Sequence, residues 1–173
     1  GAAGHVTFGS FNKLGKVSDA TVALWCAVLR AVPDSRLFIK SKALAEEATR
    51  RMTTERFAVH GVAPERLTLF GWVPEDEGHL ATYGRIDVAL DTFPYSGTTT
   101  TCEALWMGVP VVTFPGDRVA SRHSTAHLRT VGLDDLVAAD VDGYIARAVD
   151  LARDPGLARL RQDRKSTRLN SSH

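Results

Sequence analysis

Short β-rich runs alternate with amphipathic stretches along most of the chain. Val6–Phe11 (VTFGSF) reads as a first strand. Ser18 or Asp19 can cap a helix running through Val32, in which Val22, Leu24, Trp25, Val28 and Leu29 recur at helical spacing. Pro33 and Asp34 stop it, and Arg36–Lys40 (RLFIK) follows as a second strand. Ala43–His60 is predicted as one helix closed by Gly61. Leu67–Phe70 is a third strand, and Pro74 opens a helix through about Tyr83. Ile86–Leu90 is a fourth strand, Thr99–Met107 a helix closed by Gly108, and Val111–Phe114 a fifth strand. Ser121–Val131 is read as a helix, Leu136–Ala138 as a short sixth strand, Asp140–Arg153 as a helix, and Pro155–Arg164 as one more. This alternation predicts an α/β fold built on a Rossmann-like, doubly wound parallel sheet. Ligands of such sheets bind beyond the carboxyl ends of the strands. Asn12–Lys16, Lys40–Lys42, Gly71–Pro74, Thr92–Thr101 and Pro115–Ser121 all fall there.

Composition narrows the class. At 173 residues, with 44% hydrophobic and 24% charged residues, the chain supports one domain with a sizeable core. A net charge of +1 gives no bulk electrostatic case for nucleic acid or an anionic membrane, and no apolar run is long enough to span a bilayer. Any anion site must therefore be local. The two cysteines, Cys26 and Cys102, lack metal-type spacing and read as free thiols in a reducing cytoplasm. The start Gly1-Ala2-Ala3-Gly4 has no Met and no leader pattern, so a piece of a longer protein is expected. Lys165–His173 is polar, carries no apolar stripe, and is expected to be a disordered or artefactual tail.

The chemistry concentrates in one run: Leu90-Asp91-Thr92-Phe93-Pro94-Tyr95-Ser96-Gly97-Thr98-Thr99-Thr100-Thr101-Cys102-Glu103. It reads as a strand end, a turn, and a helix start carrying four hydroxyls and then a carboxylate. Free N–H groups at a helix start suit a phosphate or diphosphate. Glu103 is close enough in sequence to reach sugar hydroxyls beside it. Other chemistries lack residues: no G-x-G-x-x-G, Walker A, HExxH or G-x-S-x-G is present. His123 and His127, four apart on one helix, have no third ligand at an obvious spacing.

Several motifs in order resemble the protein O-GlcNAc transferases, glycosyltransferase family 41. Phe8-Gly9-Ser10-Phe11-Asn12-Lys13-Leu14-Gly15-Lys16 is similar to the family's F-x-x-F-N-x-x-x-K loop. Leu90–Tyr95, the Thr run, Glu103-Ala104-Leu105-Trp106 and Gly108-Val109-Pro110 resemble its donor-site helix; Thr113–Asp117 and Ala120-Ser121-Arg122 continue the match. The resemblance covers about residues 5–164 and implies the nucleotide-sugar-binding C-terminal lobe of a two-lobed GT-B enzyme. It also implies partners: a missing N-terminal lobe, preceding TPR repeats, and a protein acceptor. The implied reaction is an inverting transfer to Ser or Thr hydroxyls, with no metal or other cofactor.

Residue roles follow from the same resemblance. Lys16 would neutralise the diphosphate, with Thr99 and Thr100 beside it. Glu103, where many members have Asp, would accept hydrogen bonds from the ribose. His79 would pack on the nucleobase, and Val73 would meet it through its backbone. Asn12 belongs to the donor loop, and Lys13 could touch the phosphates. Arg122 is carried over with the last motif. Lys40 and Lys42 stand near the site or at a solvated strand end, while Trp25, Trp106 and Leu105 read as core. Thr98 departs from the animal-type histidine. The run Gly97–Glu103, with Lys40-Ser41-Lys42, brings the chain closer to the SPINDLY-like branch, which includes protein O-fucosyltransferases and whose bacterial relatives carry mixtures of these features. UDP-GlcNAc is the default donor and GDP-fucose the alternative. A non-catalytic nucleotide-binding module and a GT-B enzyme acting on a small molecule or lipid are rival readings. The lobe alone is expected to be inactive.

Overall fold

The computed structural model describes residues 5–71, 78–93, 97, 99–113, 123–130, 132, 137–154 and 156. Among them, five strands form one parallel sheet: β1 (Thr7–Ser10), β2 (Arg36–Lys40), β3 (Leu67–Phe70), β4 (Val88–Leu90) and β5 (Val111–Val112). Their order is β3-β2-β1-β4-β5. Phe8 pairs with both Leu37 and Val88, so β1 is central. The chain winds outward from β1 to β3, then crosses back to lay β4 on the other side of β1. The loops after β1 and β4 part there, leaving a crevice at the carboxyl edge.

The helices are α1 (Asp19–Ala31), α2 (Glu47–Ala58), α3 (Thr99–Trp106), α4 (His123–Thr130) and α5 (Val141–Arg153). The apolar stripe of α1 does what its spacing requires: Val22, Leu24, Trp25, Val28 and Leu29 are buried against β1, β2 and α5 residues. Ser18 caps it, accepting from the Thr21 N–H. At its other end the Arg66 guanidinium donates to the carbonyls of Leu29, Val32 and Ser35, satisfying acceptors a helix end leaves open. A second apolar cluster on the opposite face joins Phe11, Phe38, Tyr83, Ile86, Ala104 and Val111. No helix among the described residues is long and apolar enough to cross a membrane.

The elements depart from expectation in four places. The helix expected over Ala43–His60 is broken: Lys42–Ala45 is a 3-10 turn, Glu46 is extended, and α2 begins at Glu47. Tertiary contacts override the helical pattern there. Leu44 is fully buried, and Gly71 packs so tightly that a Cβ on it would lie 2.2 Å from the Ala45 nitrogen. Arg50 donates to the freed carbonyls of Leu44 and Ala45. Second, Leu80–Arg85 is a 3-10 helix; residues 74–77 of the helix expected from Pro74 lie outside the described residues. Third, of the sixth strand expected over Leu136–Ala138, the described residues show a single bridge, between Val137 and Thr113; Leu136 lies outside them. Fourth, Trp106 is 84% exposed instead of core. The buried face of α3 is Thr101 and Ala104, and Trp106, two positions on from Ala104, points to another side. Trp25 is fully buried and Leu105 packs on the second cluster, as expected. The helix read over Pro155–Arg164 and the segment Lys165–His173 lie outside the described residues, apart from Gly156.

Candidate functional site

The crevice at the carboxyl edge is built by two loops and held by their own polar side chains. After β1, the chain leaves through Phe11 and Asn12 into a 3-10 turn, Leu14–Lys16. Asn12 is buried, Lys13 exposed and Lys16 half-buried. After β4, Asp91 organises the turn. Its buried carboxylate accepts from the N–H groups of Thr92 (3.0 Å) and Gly97 (2.8 Å) and from the Thr113 hydroxyl (2.7 Å). The Asp91 carbonyl accepts in turn from the Tyr144 hydroxyl at 2.8 Å. Burial and the Asp91 charge push that phenol well above its ordinary pKa, so it stays a donor. Phe93 is tied to α1: its carbonyl accepts from Ser18 and Thr21 hydroxyls, both at 2.6 Å, and its N–H donates to Thr21 at 3.0 Å.

The first turn of α3 meets the loop after β1 directly, because the Thr100 hydroxyl donates to Asn12 Oδ1 at 2.7 Å. A Cβ on Gly97 would fall 2.6 Å from Thr100 Oγ1 and 2.9 Å from Asn12 Oδ1, so this junction requires glycine for space. Below it lies a cavity of about 20 Å³ bordered by Ser10, Asn12, Asp91, Thr100 and Thr101. That is room for one water, not for a ligand. Thr99, exposed, starts α3, at the positive end of the helix dipole.

The second wall is a chain of polar contacts over an aromatic floor. Lys40, at the end of β2, bonds to His79 Nδ1. His79 Nε2 lies 2.6 Å from Glu103 Oε2, and the Tyr83 hydroxyl donates to the same oxygen at 2.9 Å. Burial lowers the pKa of Lys40, while the Glu103 charge raises it. Burial, then the bond to Glu103 and its charge, raises Tyr83. Beneath them Phe11 lies 4.1 Å from Tyr83, 5.8 Å from Phe38 and 5.9 Å from His79, ring centre to ring centre. Among the described residues no group of three or more His, Cys, Asp or Glu side chains is placed to hold a metal ion.

Of the residues singled out from sequence, the structure therefore joins Asn12 to Thr100 and His79 to Glu103. It puts Lys13 and Lys16 in the loop bordering the crevice and Thr99 at the start of α3. Lys40 belongs to the wall, whereas Lys42 is exposed in the turn beyond it. Val73, Thr98 and Arg122 lie outside the described residues. Sequence reasoning gave no role to Tyr83, Asp91, Thr21 or the Phe11 ring. Tyr83 had a signal, since it stands four residues after His79 and shares its side of a helical turn. Asp91 had a weaker one, an acid at a strand end before a glycine turn.

A family model described as "Glycosyl transferase family 41" matches residues 2–173. The chain is 42% identical over 151 residues to a tomato (Solanum lycopersicum) protein named as a probable UDP-N-acetylglucosamine–peptide N-acetylglucosaminyltransferase SPINDLY, covering 87% of this chain and 16% of that protein. It is 35% identical over 150 residues to a Caenorhabditis elegans UDP-N-acetylglucosamine–peptide N-acetylglucosaminyltransferase, covering 86% and 13%. Among solved structures, a mutant of Thermobaculum terrenum O-GlcNAc transferase superposes with a TM-score of 0.86 at 44% identity, over 94% of this chain and 31% of that one. The chain thus spans a small part of the length of these relatives.

Proposed function

The chain belongs to glycosyltransferase family 41, and from that premise we propose that it is the donor-binding lobe of a protein O-glycosyltransferase. In this reading it transfers GlcNAc from UDP-GlcNAc to Ser or Thr hydroxyls with inversion. The observation that carries the reading is the hydrogen bond between Thr100 and Asn12. It closes the β1 loop, with Lys16, against the N-terminus of α3 at the point where the strand order reverses. A nucleoside diphosphate lying across that junction meets backbone N–H groups, threonine hydroxyls and a lysine on one side. On the other it meets a carboxylate, Glu103, within reach of ribose hydroxyls.

The chemistry then asks one thing of this lobe: to stabilise the charge that develops on the diphosphate as the glycosidic bond breaks. In this reading the α3 dipole and the Lys16 ammonium do so without proton transfer, as positive charge beside a leaving anion. The acceptor and its base come from outside the lobe.

The donor is tested by calorimetry. The 173-residue chain is expected to bind UDP, and Lys16→Ala to weaken that binding at least about tenfold through loss of a charged contact. A second reading, GDP-fucose as donor, is favoured by the run Gly97-Thr98-Thr99-Thr100-Thr101-Cys102-Glu103 and by Lys40-Ser41-Lys42. GDP binding more tightly than UDP would select it. If neither nucleotide binds, or Lys16→Ala leaves both isotherms unchanged, the donor-site reading fails.

A further inference from the structure

The polar wall of the crevice is asymmetric about one carboxylate. His79 Nε2 and the Tyr83 hydroxyl both bond to Oε2 of Glu103, and neither bonds to Oε1. Glu103 is partly exposed, its side chain retaining 23% of its accessible surface, so the remaining oxygen can be met from the crevice. Tyr83 is held independently of Glu103. Its side chain is buried, its ring packs on Phe11, and its hydroxyl is also 3.2 Å from the Thr100 carbonyl. Of the two acceptors the nearer and charged one takes the single phenolic proton. Burial holds that phenol protonated far into the alkaline range, so Tyr83 remains a donor at any working pH.

Glu103 has three rotatable side-chain bonds. A free glutamate loses that freedom when it grips a ligand, at a cost in affinity. Fixing Oε2 beforehand removes much of the loss. Resting on the nucleotide-site reading above, we propose that Tyr83 is a positioning residue for the donor ribose: it pins Glu103 through Oε2 and leaves Oε1 to accept from the 2′,3′-diol. His79 cannot do this alone, because it is itself 44% exposed and shared with Lys40. Tyr83 is the partner anchored in the core, and the carboxylate it pins is itself on α3. Ribose recognition is thereby tied to the helix that receives the phosphates.

The test compares affinities of the 173-residue chain for UDP and GDP with those for their 2′,3′-dideoxy forms. In the wild type, removing the diol is expected to weaken binding about tenfold or more, the usual worth of hydrogen bonds to a charged group. Tyr83→Phe keeps the ring against Phe11 and deletes only the hydroxyl. It is expected to weaken the ribonucleotides while leaving the dideoxy forms unchanged, so that the diol preference falls below about threefold. Glu103→Ala removes the carboxylate itself without touching the buried ring. It should lose the preference too, and the double variant should lose no more than either single one, the non-additivity expected of two groups acting as a unit. A merely structural role for Tyr83 would weaken ribose and dideoxy ligands alike, and that result overturns the inference, as does an unchanged diol preference in Tyr83→Phe. Both leave the donor-site reading intact. Absence of nucleotide binding by the wild type overturns that reading and this inference together.

Discussion

Burial raises the Cys26 thiol from 9.0 to about 11, against a partial pull downward from the Arg30 and Arg66 charges. Cys26 is fully buried in α1 beside Trp25, whereas Cys102 is exposed on α3. The consequence for stability has a definite sign. In the unfolded chain Cys26 ionises near 9.0, in the folded one near 11, so above 9.0 the folded state holds a proton the unfolded state has released. Stability is fully present below 9.0 and falls as pH rises toward about 11. Urea midpoints measured from about pH 8 to about pH 9, where few unfolded phenols have ionised, should decline in the wild type. The slope should flatten in Cys26→Ala, which lowers stability at every pH but removes the titrating group. Equal slopes in the two proteins would show that the buried thiol is not the cause. The neighbouring site residue Asp91 follows a different logic. It too is buried, but it accepts from the Thr92 and Gly97 N–H groups in the turn before α3 and from the Thr113 hydroxyl, so its charge is compensated.

At the scale of elements, the site depends on how closely α3 approaches the loop after β1. Gly97 sets that distance. A Cβ there would meet Thr100 Oγ1 at 2.6 Å, Asn12 Oδ1 at 2.9 Å and Thr101 Oγ1 at 3.0 Å, and all three belong to short side chains with little room to yield. Gly97→Ala is expected to lever α3 away from Asn12 and to weaken nucleoside diphosphate binding about tenfold or more, with a melting temperature a few degrees lower. A variant that binds UDP and GDP like the wild type would show that the junction tolerates separation. The same scale shows what local pattern can and cannot reveal. β2 and β3 appear at the expected residues, and α1 begins at the expected cap, because alternation, β-branching and a capping serine are local signals. The break at Glu46 was not legible. It follows from Leu44 entering the core and Gly71 pressing on Ala45, contacts between residues far apart in sequence. Trp106 was misplaced for a related reason: an aromatic in an amphipathic helix suggests core, but α3 has only a narrow buried face.

For the molecule as a whole, strand-helix alternation announced a parallel sheet, but not its order. The order β3-β2-β1-β4-β5 underlies the proposed site, because it puts the reversal of winding between β1 and β4. The residues legible as a site, Asn12, Lys16, Thr99, Thr100 and Glu103, lie on the two loops and the helix flanking that reversal. Those that were not, Tyr83 and Asp91, act through partners that only the fold brings near. This placement makes a prediction about where a ligand is felt. α2 and α5 lie outside the crevice, α2 packing on α1 and the turn after β2, and α5 on α1, β4 and β5. Hydrogen exchange of the 173-residue chain, with and without saturating UDP or GDP, should therefore slow at 12–16, 79–85 and 99–103. The interiors of α2 and α5 should exchange at unchanged rates, because binding at one edge of a preformed sheet orders the loops it touches and leaves remote units alone. A ligand seated instead over the outer strands would slow exchange at 40–45 and 70–71 and spare 99–103. That pattern would move the site off the reversal point and separate the function of this lobe from the topology that suggested it.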